Sequence, residues 1–547
     1  MTLICPECMK IPTVKKVSAG PIKGWVREDI APLLPPAFFN DPVSFIRGTG
    51  GEVIKESKLR WAAILTLPQG RRIFLKRDRT KGWFESLKYF LFPSKARKEW
   101  FMVYQLQKRN IPVPKPYGWM EKVRKGFVEE SYYLSEAIGS GISFIDDSVH
   151  LGENIPIPEL AKTVRKIHDS GLFHRDLHGG NFLWDGESFF LTDLHRARIL
   201  KSLSLNQRLW NLSQLFHSLR TLWGRREQIR FLERYLEGGL FDLQRKEEIL
   251  HKILSLMDSL QKRQWKSRTK RCLKESTEFS VKKEKGVITY HRKDFPLDRL
   301  IKVVEGHLST VQKNPTLLVK NSPEVTVSLS KSKEGRICVK QFRYPRFWDR
   351  LKETFRTSKG LRAWISGNGL RTRGIASPKT LALVERKIGL TRRESFLAME
   401  ASETDQEMDR YILEGLGDVQ EKRYFIKTFA RWLSCLHERN LYHRDMKTCN
   451  ILVSENGETW NFYLLDLEDV LLDEKVDERK LFKNFLQLNT STPKNISTTD
   501  RFRFFKEYVS LNPIIKDRKG FLQRLIEESK RRGLVYVSPQ GVVIEKI

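Results

Sequence analysis

One pattern, His-Arg-Asp followed by four residues and Asn, occurs twice in this chain, as HRDLHGGN at 174–181 and HRDMKTCN at 443–450. Two copies of one loop argue for two copies of one fold, and the flanking sequence agrees. An offset of 264 residues aligns Lys76 of RRIFLKRD with Lys340 of GRICVKQF. The same offset pairs Ser94 with Ser358, Trp100 with Trp364, Leu106 with Leu370 and Pro114 with Pro378. At the HRD loops the offset is 269, shared by His168 and His437, so one intervening loop has grown by five residues. The chain reads as a tandem duplication, and its 547 residues exceed what one core supports. The lysine-rich stretch 261–286 lacks an apolar period and is expected to be a connector or a surface segment. The domains then fall at about 20–270 and 280–547.

Each half has the same order of elements. AAILTL and RIFLKR predict strands around the turn PQGR, and SYYLSEAI predicts a third. SKARKEWFMVYQLQKRN predicts a helix with Trp100, Val103, Tyr104 and Leu106 on one stripe, stopped by the prolines of IPVPKP. IPELAKTVRKIHDSG predicts another, ending at Gly171. NFLWD and SFFLTD predict a short hairpin, and the remainder of the half is helical. A small strand-rich lobe followed by a helical lobe is an α+β layout.

Phosphoryl transfer from a nucleoside triphosphate needs a cation at the phosphates, metal ligands, and a base beside the attacking hydroxyl. The first half supplies these in kinase order. Lys76 lies on a strand, where it can reach the phosphates. Glu99 on the following helix can pair with it. Asp176 sits in the HRD loop as candidate base, with Asn181 five residues later and Asp193 after the next strand as candidate metal ligands. Asp193 is followed by LHRA rather than Phe-Gly. Gly48, Gly50 and Gly51 of RGTGGEV form a candidate phosphate loop. His174 and Arg175 read as supports of the loop, and His168 as a packed side chain. Cys5 and Cys8 form a lone C-x-x-C, two ligands short of a zinc site.

FLKRD, SKARKEW, NIPVPKPYG at 110–118, HRDLHGGNFLWDG and LTDLHRARI together resemble the lipopolysaccharide core kinase family, of the Kdo-kinase and heptose-kinase types. The resemblance spans about 45–200 and recurs more weakly over 315–470. It implies two tandem protein-kinase-like domains, each with a strand-rich N-lobe and a helical C-lobe. It also implies ATP- and Mg²⁺-dependent phosphorylation of a heptose or Kdo hydroxyl in the lipopolysaccharide inner core. Asp176 is then the base, Lys76 and Glu99 position ATP, and Asn181 and Asp193 bind Mg²⁺. The hinge LSEAI, containing Glu136, meets adenine through its backbone. By the same carry-over the second half has Lys340, the hinge MEAS at 399–402 with Glu400, Asp445, Asn450 and Asp466. Lys447 follows Asp445 by two, as in the HRDLK loop of many Ser/Thr kinases, where the first half has His178. This half departs from the pattern in two ways. The 264 offset puts Ala363 in the place of Glu99, so Lys340 lacks its usual partner, and no glycine cluster precedes Lys340. It is therefore expected to be slower or more specialised, or to recruit another acid such as Glu353.

The formal net charge of +33 favours an acidic partner, here an anionic glycolipid with peripheral contact at the cytoplasmic face of the inner membrane. No nucleic acid partner is expected. No stretch is long and apolar enough for a membrane span, the N-terminus lacks the apolar run of a secretory signal, and six cysteines in so long a chain fit a reducing compartment. The expected location is the cytoplasm. Three rival readings share the loop pattern. A tandem Ser/Thr-type protein kinase lacks support because no Ala-Pro-Glu follows Asp193 or Asp466. A small-molecule phosphotransferase for cationic drugs runs against the basic charge. A regulatory pseudokinase applies at most to the second half.

Overall fold

The computed structural model describes residues 13–68, 70–141, 143, 156–237, 245–332, 335–345, 356–388, 391–401, 406–457 and 459–546. Cys5, Cys8, Glu353 and the hinge residue Ser402 lie outside them. The chain divides into two compact units, Met1–Gln261 and Lys262–Ile547.

In the first unit, β1 (Val14–Ala19), β2 (Ile22–Arg27), β3 (Glu52–Glu56), β4 (Arg60–Thr66), β5 (Arg72–Arg79), β6 (Pro116–Arg124) and β7 (Phe127–Glu136) form one antiparallel sheet. Their spatial order is β1-β2-β6-β7-β5-β4-β3. Lys76 is on β5 near the middle of that sheet, opposite Ala62 of β4 and Tyr133 of β7. Helix Lys95–Gln107 begins at Ser94, whose hydroxyl accepts from Arg97 N at 3.3 Å, and it buries Trp100, Val103, Tyr104 and Leu106 as the stripe predicts. The helical lobe contains Ile157–Asp169, Leu205–Leu219 and Arg225–Leu236, with the hairpin Phe182–Trp184 and Phe189–Leu191 between them. One apolar cluster, with Trp61 and Tyr132, lies within the sheet lobe, and a second, with Phe182 and Phe216, fills the helical lobe and reaches Trp119 and Tyr133 of the sheet.

The second unit repeats the plan. Strands Phe279–Glu284, Val287–Arg292, Lys320–Asn321, Val325–Ser332, Gly335–Arg343, Thr380–Ile388 and Thr391–Ala401 take the same first-second-sixth-seventh-fifth-fourth-third order. Ser358 caps helix Lys359–Thr372 just as Ser94 caps its counterpart. The stretch 261–286, read from its sequence as a connector or surface segment, is made of regular structure. It holds the end of helix Lys246–Thr269, the turn Lys270–Leu273 and the edge strand Phe279–Glu284. Strand Phe279–Glu284 carries its lysines at exposed positions of a sheet edge, where charge blocks further pairing, and this produces the charged composition. Among the described residues no helix is long and apolar enough to cross a membrane.

His168 and His437 pack alike. Each is buried and each has Nδ1 at 2.7 Å from a tyrosine hydroxyl, of Tyr235 and Tyr508 respectively. Burial, with the nearby Arg208 cation, pushes His168 down to about 3, and burial pushes His437 down to about 4. Below about pH 6.5 the unfolded chain takes up these protons while the folded chain does not. Stability is therefore lost as pH falls from 6.5, by up to about 1.4 kcal/mol per pH unit for each histidine. Urea unfolding between pH 6.5 and 5 should show this slope, and His168→Gln or His437→Gln should flatten it. An unchanged slope in both variants would exclude these histidines as its source.

Candidate active sites

The HRD loop of the first unit is held by one helix face. Asn211, Gln214 and Ser218 follow the i, i+3, i+7 spacing on helix Leu205–Leu219. Asn211 Nδ2 donates to the carbonyl of His174, and Gln214 Nε2 donates to that of Arg175 at 2.8 Å. Ser218 Oγ accepts from Gly179 N at 2.9 Å. His174 Nδ1 accepts from Asp176 N at 3.3 Å, and its Nε2 sits 3.1 Å from the Asp193 carbonyl. His174 thus ties the loop to the Asp193 turn. Asn484, Gln487 and Ser491 repeat the rail in the second unit, binding His443 O (2.8 Å), Arg444 O (2.9 Å) and Thr448 N (2.9 Å). Sequence reading missed this rail. Its signal was N-x2-Q-x3-S, present twice at an offset of 273.

Above the loop, Lys76 lies between two carboxylates, 3.0 Å from Glu99 Oε2 and 2.6 Å from Asp193 Oδ1. Its side chain is only 14% exposed and that of Glu99 5%. Burial opposes the ammonium charge, but Glu99 and Asp193 outweigh it and raise the lysine above its ordinary value. Burial also opposes the Asp193 charge, and Lys76 and His195 overcome it, holding that carboxyl well below the usual range. His195 Nδ1 lies 2.8 Å from Asp193 Oδ1. Asp193 has φ +58°, a left-handed conformation for which aspartate is one of the better side chains. Among the described residues Glu99, Asp193 and His195 place their ligand atoms within 4.8 Å of one another. Asn181 Nδ2 donates to Asp176 O at 2.8 Å, which commits the amide nitrogen and leaves its oxygen as the available donor atom. Asp176 itself pairs with Arg196 Nη1 at 2.8 Å.

Beside them lies a cleft of about 430 Å³, which Asp176, His195 and Arg196 do not line. Lys76, Glu99, Asn181, Asp193 and the hinge residues Glu136 to Ile138 all border it. The Glu136 carboxylate turns to Lys115 at 3.8 Å. In the second unit Glu400 pairs with Lys379 at 2.9 Å. Gly48, Gly50 and Gly51 do not border the cleft. They end helix Pro42–Gly48 and lead into β3, with Gly50 at φ +73°. A Cβ at Gly51 would lie 2.3 Å from Ile46 Cγ2, so close packing rather than phosphate contact explains that glycine. The turn at the cleft is Ser57–Leu59, between β3 and β4, flanked by the cleft residues Lys55 and Arg60.

The second unit corrects a further expectation. Ala363 is fully buried on its helix and offers no carboxylate, yet Lys340 has two. It lies 2.6 Å from Asp466 Oδ1 and 2.7 Å from Glu468 Oε1. Glu468 stands where the first unit has His195, two residues past Asp466, the counterpart of Asp193. Burial opposes the Lys340 charge, and Glu468 and Asp466 outweigh it, so the lysine is raised. Asp466 has φ +45°. Asn450 Nδ2 donates to Asp445 O at 2.8 Å, and Lys447 Nζ is 3.0 Å from Asp445 Oδ1. The signal for Glu468 was DLED against DLHR, visible only to a reader looking past the helix for the acid. Replacing Glu468 removes the buried one of the two carboxylate partners of Lys340. In a Lys76→Met background, Glu468→Ala should weaken nucleotide binding at the second site about 10–100-fold, from the usual worth of a charged hydrogen bond. Calorimetric titration with an ATP analogue checks this, and unchanged affinity would remove Glu468 from the site.

The family model "Lipopolysaccharide kinase (Kdo/WaaP) family" matches residues 50–235 and 347–508. Two relatives named 3-deoxy-D-manno-octulosonic acid kinase, from Xanthomonas campestris pv. campestris (strain B100) and Stenotrophomonas maltophilia (strain K279a), are each 30% identical over 129 residues. That is 23% of this chain and 51% of theirs, so the chain spans about half the length of the curated relatives it matches. A solved structure, WaaP in complex with acyl carrier protein, aligns with 39% of this chain and 87% of that one, at 17% identity and a TM-score of 0.32.

Proposed function

This chain belongs to the Kdo/WaaP lipopolysaccharide kinase family, and from that premise we propose that it transfers the γ-phosphoryl group of ATP to a hydroxyl of a Kdo or heptose residue in the lipopolysaccharide inner core. The observation that carries this reading is the buried lysine clamped by two carboxylates above a rigidly held HRD loop. The acceptor oxygen attacks the γ-phosphorus, the bond from that phosphorus to the β–γ bridging oxygen breaks, and ADP leaves. The acceptor proton passes to the Asp176 carboxylate. The backbone hydrogen bonds from the helix rail fix where that carboxylate stands. Lys76, kept charged and extended by Glu99, meets the phosphates. Arg196, beside Asp176, supplies positive charge where an anionic acceptor approaches.

Mg²⁺ fits the donor set: the Asn181 amide oxygen and the Asp193 carboxylate are hard oxygen ligands, and Lys76 and His195 both meet Asp193 at Oδ1, leaving Oδ2 for a cation. Bound there, it would neutralise charge on the transferring phosphoryl group. Asp445, Lys447, Asn450 and Asp466 hold the same stations in the second unit. With Lys340 secured by Glu468, that unit too is equipped for ATP. The acceptor is an anionic glycolipid, consistent with the +33 charge, and the protein works at the cytoplasmic face of the membrane that carries it.

Labelled ATP offered with Kdo-terminated and heptose-containing acceptors, a generic protein and an aminoglycoside tests the reading. Label should enter the core acceptors. Asp176→Asn should cost about 10²–10⁴-fold in turnover. Wild-type turnover in that variant, or label entering only the protein or the aminoglycoside, would overturn the assignment.

A further inference from the structure

Helix Trp83–Leu91, between β5 and the helix that bears Glu99, leaves an apolar surface in water. Leu87, Phe90, Leu91 and Phe92 are 43%, 71%, 72% and 56% exposed. The i, i+3, i+4 spacing of Leu87, Phe90 and Leu91 puts them on one face. The helix is anchored, not dangling: Ser86 Oγ donates to Val128 O at 3.2 Å, and Glu85 lies 3.6 Å from Lys95. An anchored helix with a bare aromatic face marks a contact surface.

Beside it is a group of cations without counter-charges. Lys88 is on this helix and Lys98 on the next. Arg198 sits on the short strand Ala197–Ile199, paired opposite Phe173, and Arg175 is two residues beyond Phe173. All four side chains are exposed, and none has an ion pair or side-chain hydrogen bond among the described residues. Their nearness registers at Lys98, which is lowered by partial burial and then by the fields of Arg198, Lys88 and Arg175. Folding has gathered like charges and left them unpaired, next to an exposed apolar ridge. One kind of surface satisfies both at once, offering apolar interior to the ridge and anionic headgroups to the cations.

We propose that helix Trp83–Leu91, with Lys88, Lys98, Arg175 and Arg198, is the face by which this protein docks on an anionic lipid bilayer. The ridge enters the headgroup boundary while the cations meet lipid phosphates. Arg175 directly precedes Asp176 in the chain, so docking by this face turns the catalytic loop toward the membrane surface and toward hydroxyls projecting from it.

The full chain is sedimented with phosphatidylcholine vesicles, with and without phosphatidylglycerol, in the absence of nucleotide and acceptor. The outcome is therefore independent of phosphoryl transfer. The wild type should bind the vesicles containing phosphatidylglycerol and release them at high salt. Phe90→Ser/Leu91→Ser and Lys88→Ala/Arg198→Ala should each weaken binding about tenfold. Arg518→Ala/Lys519→Ala, a charge-matched change at exposed positions of the other unit, should not. All four changed positions of the docking face are exposed, so melting temperatures should stay at the wild-type value. Absence of wild-type binding would overturn the proposal and leave the patch to an acidic protein. Equal losses in the Arg518/Lys519 control would also overturn it, reducing the effect to net charge.

Discussion

A buried ammonium group needs carboxylates, and each unit of this protein is organised around meeting that need. Lys76 and Lys340 occupy matching sheet positions with little access to water. An isolated lysine there would lose its charge or destabilise the fold. Two carboxylates within 3.0 Å keep it charged and fix its direction. One of them always comes from the left-handed turn after the hairpin, Asp193 or Asp466. The turn is held through His174 or His443, and the HRD loop is held through the helix rail. The lysine clamp thus couples the sheet lobe to the helical lobe.

The duplicated units meet the same demands with different residues. Glu99 serves Lys76 from the helix, and Glu468 serves Lys340 from the turn. The candidate base follows a parallel exchange. Asp176 takes its cation from Arg196, three residues past Asp193, whereas Asp445 takes it from Lys447, two residues away. The 273 offset puts Asp469 where Arg196 stands, and the 269 offset puts His178 where Lys447 stands. Each unit has one cation by its base and two acids by its lysine, so charge balance has been kept while the donors moved. This is more consistent with two working sites than with one site and a relic.

Much of this was legible in the sequence because the repeat constrained it. The HRD loops, Lys76, Lys340, Asp193 and Asp466 sit in strands and loops whose spacing scarcely drifts. Ser94 and Ser358 cap their helices in register. What escaped depended on three-dimensional reach. Glu468 was invisible because the acid was sought on the helix, and sequence does not show that a turn residue can project to the same lysine. The glycines at 48–51 do not border the cleft, and sequence does not separate the roles because glycine answers equally to a helix end with positive φ, to tight packing and to phosphate contact. Composition leaves 261–286 open between a connector and a surface segment, because an edge strand and a helix end share the charged composition of a linker.

The central claim is that both lysine clamps are complete, so that one chain has two nucleotide sites. Equilibrium dialysis of the full chain with Mg²⁺ and a non-hydrolysable ATP analogue tests it most directly. The account predicts two analogues bound per chain, falling to one in Lys76→Met and to one in Lys340→Met. A stoichiometry of one that is unaffected by Lys340→Met would contradict it.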